Sequence, residues 1–202
     1  FCRMEWDRFM IECLYIMNND MNSRKIDCRQ YCCERLMVRA DNEKLLMEID
    51  LSVIGRIKTE VNDNLKPITP EMAENLAETM IDAYKNTVDY EGEEYEDALF
   101  EIKNVIADGY GEFLKSVSFA FVKENEVVSA IMVSLYENIP YILYVFTKKN
   151  NIGRGLATRL IRKSLYELDR KGYRRVQLSV SEANHGARFL YEKLGFKYKS
   201  IS

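Results

Sequence analysis

Gly153 and Gly155 end the string Tyr141-Ile-Leu-Tyr-Val-Phe-Thr-Lys-Lys-Asn-Asn-Ile-Gly-Arg-Gly, just before an amphipathic run that opens at Leu156. Glycine removes side-chain bulk where a helix starts. Several free N–H groups and the positive helix end can then converge on one anion. Lys148, Lys149, Arg154 and Arg159 add cationic side chains nearby. A pyrophosphate is the natural guest, although a bare G-x-G spacing also suits a tight strand-to-helix turn that binds nothing. A dinucleotide-binding loop would need a further small residue where Thr158 stands, and a Walker-type loop would need Gly-Lys-Ser or Gly-Lys-Thr, which is absent.

A second string, Asn184-x-x-Ala187-x-x-Leu190-Tyr191-x-x-x-Gly195-Phe196, follows at a distance that leaves room for one helix and one strand. With both strings in this order, the chain resembles the GCN5-related N-acetyltransferase superfamily. That family's cofactor loop is usually written R/Q-x-x-G-x-G/A, and here Asn150 replaces the arginine or glutamine. The resemblance covers about Leu65 to Tyr198, and the acidic string Thr87 to Glu94 is similar to that of a bacterial subgroup.

The resemblance implies acetyl-CoA as cosubstrate and direct attack on its thioester by a primary amine of a small molecule or peptide. Asn150, Asn151, Ile152, Gly153, Arg154, Gly155 and Leu156 would hold the pyrophosphate, largely through the backbone. Leu143, Tyr144 and Val145 would pair with the pantetheine arm, with an N–H near Val145 facing the thioester oxygen. Asn184 would hydrogen-bond the pantetheine, and Tyr191 matches the general acid that protonates the departing thiolate. Tyr191 equally suits an ordinary core position on an amphipathic helix. Related enzymes often carry a glutamate five residues before the Asn184 position, and here that residue is Ser179. The base is therefore open among Glu182, the loop acids Asp89, Glu91 and Glu93, and a water relayed by Ser179. Those loop acids suit a cationic substrate or simply a solvated surface. The sole histidine, His185, reads as a solvated or capping residue.

The elements that position these residues follow from hydrophobic period. Lys66 to Ile68 reads as a short strand, with Thr69 as helix cap and Pro70 at the first helical position. Met72, Leu76, Met80, Ile81 and Tyr84 share one face of that helix, and Tyr95 to Ile106 forms a second. Ser116–Val122, Val127–Tyr136 and Tyr141–Thr147 read as an antiparallel meander with short polar turns. A helix from Leu156, stopped at Gly172, leads to the strand Arg174–Val180, whose long connection favours a parallel partner. A last helix runs from about Asn184 to Leu194 and is closed by Gly195. The fold class is a mixed α/β sheet, an antiparallel meander followed by a parallel β-α-β unit, which is the acyl-CoA N-acyltransferase fold that the resemblance implies. Residues 65–202 form the acetyltransferase domain and residues 1–64 a mostly helical extension of unknown role. Within that extension Met47, Ile49, Leu51 and Val53 alternate as a short strand.

The 202 residues carry a formal net charge of −3, with 47% hydrophobic and 30% charged residues. No general field attracts nucleic acid, and no apolar run is long enough to span a bilayer. All five cysteines, Cys2, Cys13, Cys28, Cys32 and Cys33, lie in the first 33 positions. The odd number is no disulfide framework, and without a nearby histidine no metal site is assigned. Expectations are a cytoplasmic protein with no nucleic-acid or membrane partner, and a second copy of the chain as a candidate partner. The competing function is a non-catalytic acyl-CoA-binding or partner-binding module, for which Ser179 and Asn150 are the features a degenerate copy would show.

Overall fold

The computed structural model describes residues 44–52 and 65–199. Two strands open it, β1 (Lys44–Asp50) and β2 (Leu65–Pro67), before a 3₁₀ turn at Pro70–Met72 leads into α1 (Ala73–Tyr84) and then α2 (Tyr95–Ile106). Pro70 stands in the first turn, where its missing N–H costs nothing. At the start of α2, Asp97 accepts the Glu94 N–H at 2.9 Å.

The meander then runs through β3 (Glu112–Phe113), β4 (Phe119–Lys123), β5 (Glu126–Tyr136) and β6 (Ile139–Thr147). Glu124 and Asn125, then Glu137 and Asn138, take positive φ in two-residue turns, whose twist matches that of the flanking strands. The strand expected from Ser116 begins later. Lys115–Val117 is a 3₁₀ turn, fixed where Ser118 Oγ donates to Leu114 O at 3.0 Å and Ser164 Oγ donates to Val117 O at 2.5 Å. After β6 come α3 (Leu156–Arg170), β7 (Arg175–Ser181), α4 (His185–Leu194) and a short β8 (Lys197–Tyr198).

The strands make one sheet in the order β2-β4-β5-β6-β7-β1-β8, with β3 added beside β5. As expected, β6 and β7 pair parallel and the meander antiparallel. β1 is a strand of this sheet although it precedes Leu65, where the sequence boundary starts the domain. It runs antiparallel to β7 along its whole length and also pairs with β8. Met47 and Ile49, the alternating residues that announce it, are 0% and 1% exposed.

One core lies on each face of the sheet. α1 and α2 bury Leu76, Ala77, Ile102 and Val105 against Ala130, Met132 and Phe146. α3 and α4 bury Leu160, Ile161, Leu165 and Tyr191 against Ile131, Val133, Ile142, Leu178 and Val180. The expected helical part of the extension and all five cysteines lie outside the described residues. Among the described residues no helix is long and apolar enough to cross a membrane, and no His, Cys, Asp and Glu cluster could hold a metal ion.

Candidate active site

The parallel ladder between β6 and β7 is short. Tyr141 and Ile142 pair with Gln177 and Leu178, and the pairing ends there, although β6 continues to Thr147 and β7 to Ser181. At the same level β6 bulges against β5. Met132 faces Tyr144 and Val133 faces Ile142, so Leu143 is the inserted residue. A bulge bends a strand and interrupts its pairing. The sheet therefore opens from Leu143 onward, and the glycine loop follows at the far end of β6.

In that loop a 3₁₀ turn at Lys149–Asn151 takes up two of the N–H groups expected to bind an anion. Asn151 donates to Lys148 O at 2.8 Å and Ile152 to Lys149 O at 3.2 Å. Gly153 and Gly155 follow with φ of 79° and 71°, the left-handed region, and Gly155 is the N-cap of α3. A Cβ on either would meet no atom within 4 Å, so their need for glycine is conformational and the space above them is open. The first N–H of α3 bonded to the chain is that of Arg159, to Gly155 O. The N–H groups of Gly153 through Thr158 find no acceptor among the described residues. This set begins at Gly153 and ends at Thr158, whereas the expected one runs from Asn150 to Leu156; free N–H groups at a helix start are of the kind that can receive an anion.

The expected cations are mostly committed elsewhere. Lys148 pairs with Glu126 at 2.9 Å, Lys149 Nζ donates to Lys85 O at 2.7 Å, and the Arg159 guanidinium lies 5.1 Å from the Phe121 ring centre. Arg154 is exposed beside the two glycines, as is Asn150. The loop itself is held by α1, where Asp82 accepts the Lys149 N–H at 2.7 Å.

Where the sheet opens, side chains from both faces meet. Asn184 caps α4 by accepting the Ala187 N–H at 3.0 Å, and its Nδ2 donates to Asp89 at 2.6 Å. Asp89 is thus brought from the loop between α1 and α2 to the start of α4. Tyr191 is 9% exposed and packs edge-on against Phe196, with ring centres 5.8 Å apart. Its hydroxyl has no hydrogen-bond partner among the described residues. Burial raises its pKa well above the ordinary phenol value, and the nearby Asp89 and Tyr141 raise it further. Tyr84, the last residue of α1, is raised likewise by burial and then by Tyr191, Asp89 and Glu93. Tyr141 donates to Ser179 Oγ at 2.5 Å; burial raises this phenol too, against the opposing effect of that bond.

The remaining expected residues separate. Glu182 has an exposed side chain, and only its carbonyl is engaged, by Arg188 at 2.8 Å. Glu93 turns back on its own loop to accept the Glu91 N–H at 2.9 Å, and Glu91 is exposed. Tyr144 and Tyr110 both donate to Glu101 of α2, which fixes Tyr144 on the α1 and α2 face, while Val145 packs on the opposite core. His185 opens α4 and is exposed. Sequence reasoning passed over Tyr84, because its helical spacing made it one more apolar-face residue, and over the Tyr141–Ser179 bond, whose partners are 38 positions apart.

The model of the acetyltransferase (GNAT) family matches residues 76–196, more than half of the chain. The chain belongs to the GNAT acetyltransferase family. Solved structures agree on the fold. A GCN5-related N-acetyltransferase from Sphaerobacter thermophilus is 20% identical with a TM-score of 0.60, over 84% of this chain and 53% of that one. The present chain thus spans about half the length of that protein. The paiA N-acetyltransferase of Thermoplasma acidophilum, solved in complex with coenzyme A, is 19% identical with a TM-score of 0.55, over 68% of this chain and 91% of that one. A GNAT family acetyltransferase from Colwellia psychrerythraea is 11% identical with a TM-score of 0.59, over 98% and 69% of the two chains. No protein of curated function has a matching sequence. The GNAT match includes the opened sheet, the glycine loop and Tyr191, and it begins after β1 and β2.

Proposed function

We propose that this chain transfers an acetyl group from acetyl-CoA to a primary amine by direct attack. The observation that carries this reading is the row of unbonded N–H groups from Gly153 to Thr158, at the end of the strand that leaves its neighbour at Leu143. Acetyl-CoA supplies the activated acyl group and a thiolate leaving group. The loop's N–H groups and Arg154 suit its pyrophosphate, and the freed edge of β6 from Leu143 to Val145 suits the amide-bearing pantetheine. Asn184 retains one N–H beyond the one given to Asp89.

Tyr191 acts as the proton donor to the departing sulfur. Its raised pKa keeps the phenol protonated throughout the neutral range, so the donor state is the resting state. The neighbouring negative charge makes proton release harder, and a positively charged amine beside Asp89 removes that penalty.

Two measurements test the reading. Acetyl-CoA at about 100 times its dissociation constant adds about 2.7 kcal/mol of stability, read as a rise in melting temperature. No rise would remove cofactor binding altogether. Thiol release is then followed with a panel of amines. The Tyr191→Phe variant is expected to keep the acetyl-CoA melting shift and to lose about 10²-fold in kcat. A melting shift without thiol release from any amine would leave a non-catalytic acyl-CoA-binding module, and unchanged turnover in Tyr191→Phe would remove Tyr191 from its role.

A further inference from the structure

Asp89 reaches the start of α4 across 95 positions of sequence, held by the 2.6 Å bond from Asn184. Asn184, its partner, caps the helix that carries Tyr191, and the Asp89 charge is felt at two phenols from opposite faces of the sheet, Tyr84 and Tyr191. Tyr191 is nine-tenths buried, with a hydroxyl that no described residue engages. The carboxylate itself has no Lys, Arg or His partner among the described ion pairs. A half-buried anion with one neutral hydrogen bond is under-compensated, and a cation beside it gains the difference.

The alternatives for this role have other partners or other places. Ser179 Oγ already receives the Tyr141 proton, and Glu182 faces solvent. We propose that Asp89 is the anionic determinant of the acceptor site, drawing the ammonium of an alkylamine between Tyr84 and Tyr191. It also relays to solvent the proton that the ammonium sheds before its nitrogen attacks. The inference rests on the acetyl-transfer reading given above.

The balance closes without a further reagent. The alkylammonium loses its extra proton to solvent by way of the Asp89 carboxylate, the freed lone pair then forms the C–N bond to the acyl carbon, and the C–S bond breaks. The sulfur leaves as a thiolate and takes the Tyr191 proton. The second nitrogen proton restores the phenol. Nitrogen becomes far more acidic once bonded to the acyl carbon, which lets it give its second proton to the Tyr191 phenolate.

The experiment compares thiol release near neutral pH from benzylamine, a cation there, and from aniline, which is uncharged. For Asp89→Asn the expected kcat/KM falls about 10²-fold with benzylamine and less than about threefold with aniline, and Asp89→Glu recovers part of the loss. The acetyl-CoA melting shift is expected to persist in both variants. An equal fall for the two amines, or no fall, overturns the proposal, because a merely structural Asp89 cannot sense the charge of the acceptor. So does a native chain that prefers aniline. A native chain that releases no thiol with any amine overturns the acetyl-transfer reading, and this inference with it.

Discussion

Gly155 shows how much chemistry one residue's backbone can carry. Its φ of 71° turns the chain from the 3₁₀ turn into α3, and the N–H groups on either side of it have no acceptor among the described residues. No neighbour would clash with a side chain there. The objection to any other residue is therefore the left-handed backbone, worth about 1 kcal/mol for alanine. Gly155→Ala is expected to lower stability by about that amount in urea titrations and to weaken acetyl-CoA binding about tenfold or more, as the donors lose alignment. A variant that is destabilised but binds as before would show that the donors do not depend on this angle. This part of the site was legible in the sequence, because a glycine's conformational demand is local. The contact of Asp89 with Asn184 was not legible. An aspartate in an acidic loop has the same local pattern whether it is solvated or brought 95 positions away. Which carboxylate approaches Tyr191 is settled only by how α1 ends and where α4 begins.

At the scale of elements, the same division holds. α1, α2, α3 and α4 announced themselves by period and by their stops, Gly172 at φ 85° and Gly195 at φ 101° among them. The parallel return of β7 followed from the length of its connection. β1 was visible as an alternating strand, but its place was not, since strand pairing depends on partners far away in sequence. Glu48 lies opposite Gln177, whose side chain donates to it at 2.6 Å, and opposite Lys197 on the other side. β1 thus covers the edge of β7 immediately beside Ser179 and Val180, the strand that bounds the opened gap. Ile49 is 1% exposed within the core shared with Leu178 and Tyr191. Ile49→Ala is expected to cost about 2–4 kcal/mol, from lost burial and the cavity left behind. A loss below about 1 kcal/mol by chemical denaturation would mean that β1 packs on the sheet without helping to hold it together.

For the whole molecule, the opened sheet has a consequence beyond the site. Two cores that the sheet elsewhere keeps apart come into electrostatic contact where the β6–β7 ladder ends. Three phenols lie there, Tyr84 half-buried on one face, Tyr191 buried on the other and Tyr141 buried on β6. All three have raised pKa values, chiefly through burial, so the folded chain binds their protons more tightly than the unfolded chain, in which a phenol titrates near ~10. The sign follows directly. With more protons bound in the folded state, stability falls as pH rises. The contribution is whole below about pH 10, where the unfolded chain still holds its phenolic protons, and it is lost above that value. Urea midpoints measured from pH 8 to about 11 should therefore bend downward near pH 10. Tyr191→Phe should bend less, because it removes one of the three titrating groups together with a hydroxyl that has no partner among the described residues. Lysine deprotonation affects both proteins alike and drops out of the comparison. Parallel curves for the native chain and Tyr191→Phe would mean that this phenol titrates as freely in the folded chain as in the unfolded one, against the closed surroundings that make it a proton donor at neutral pH.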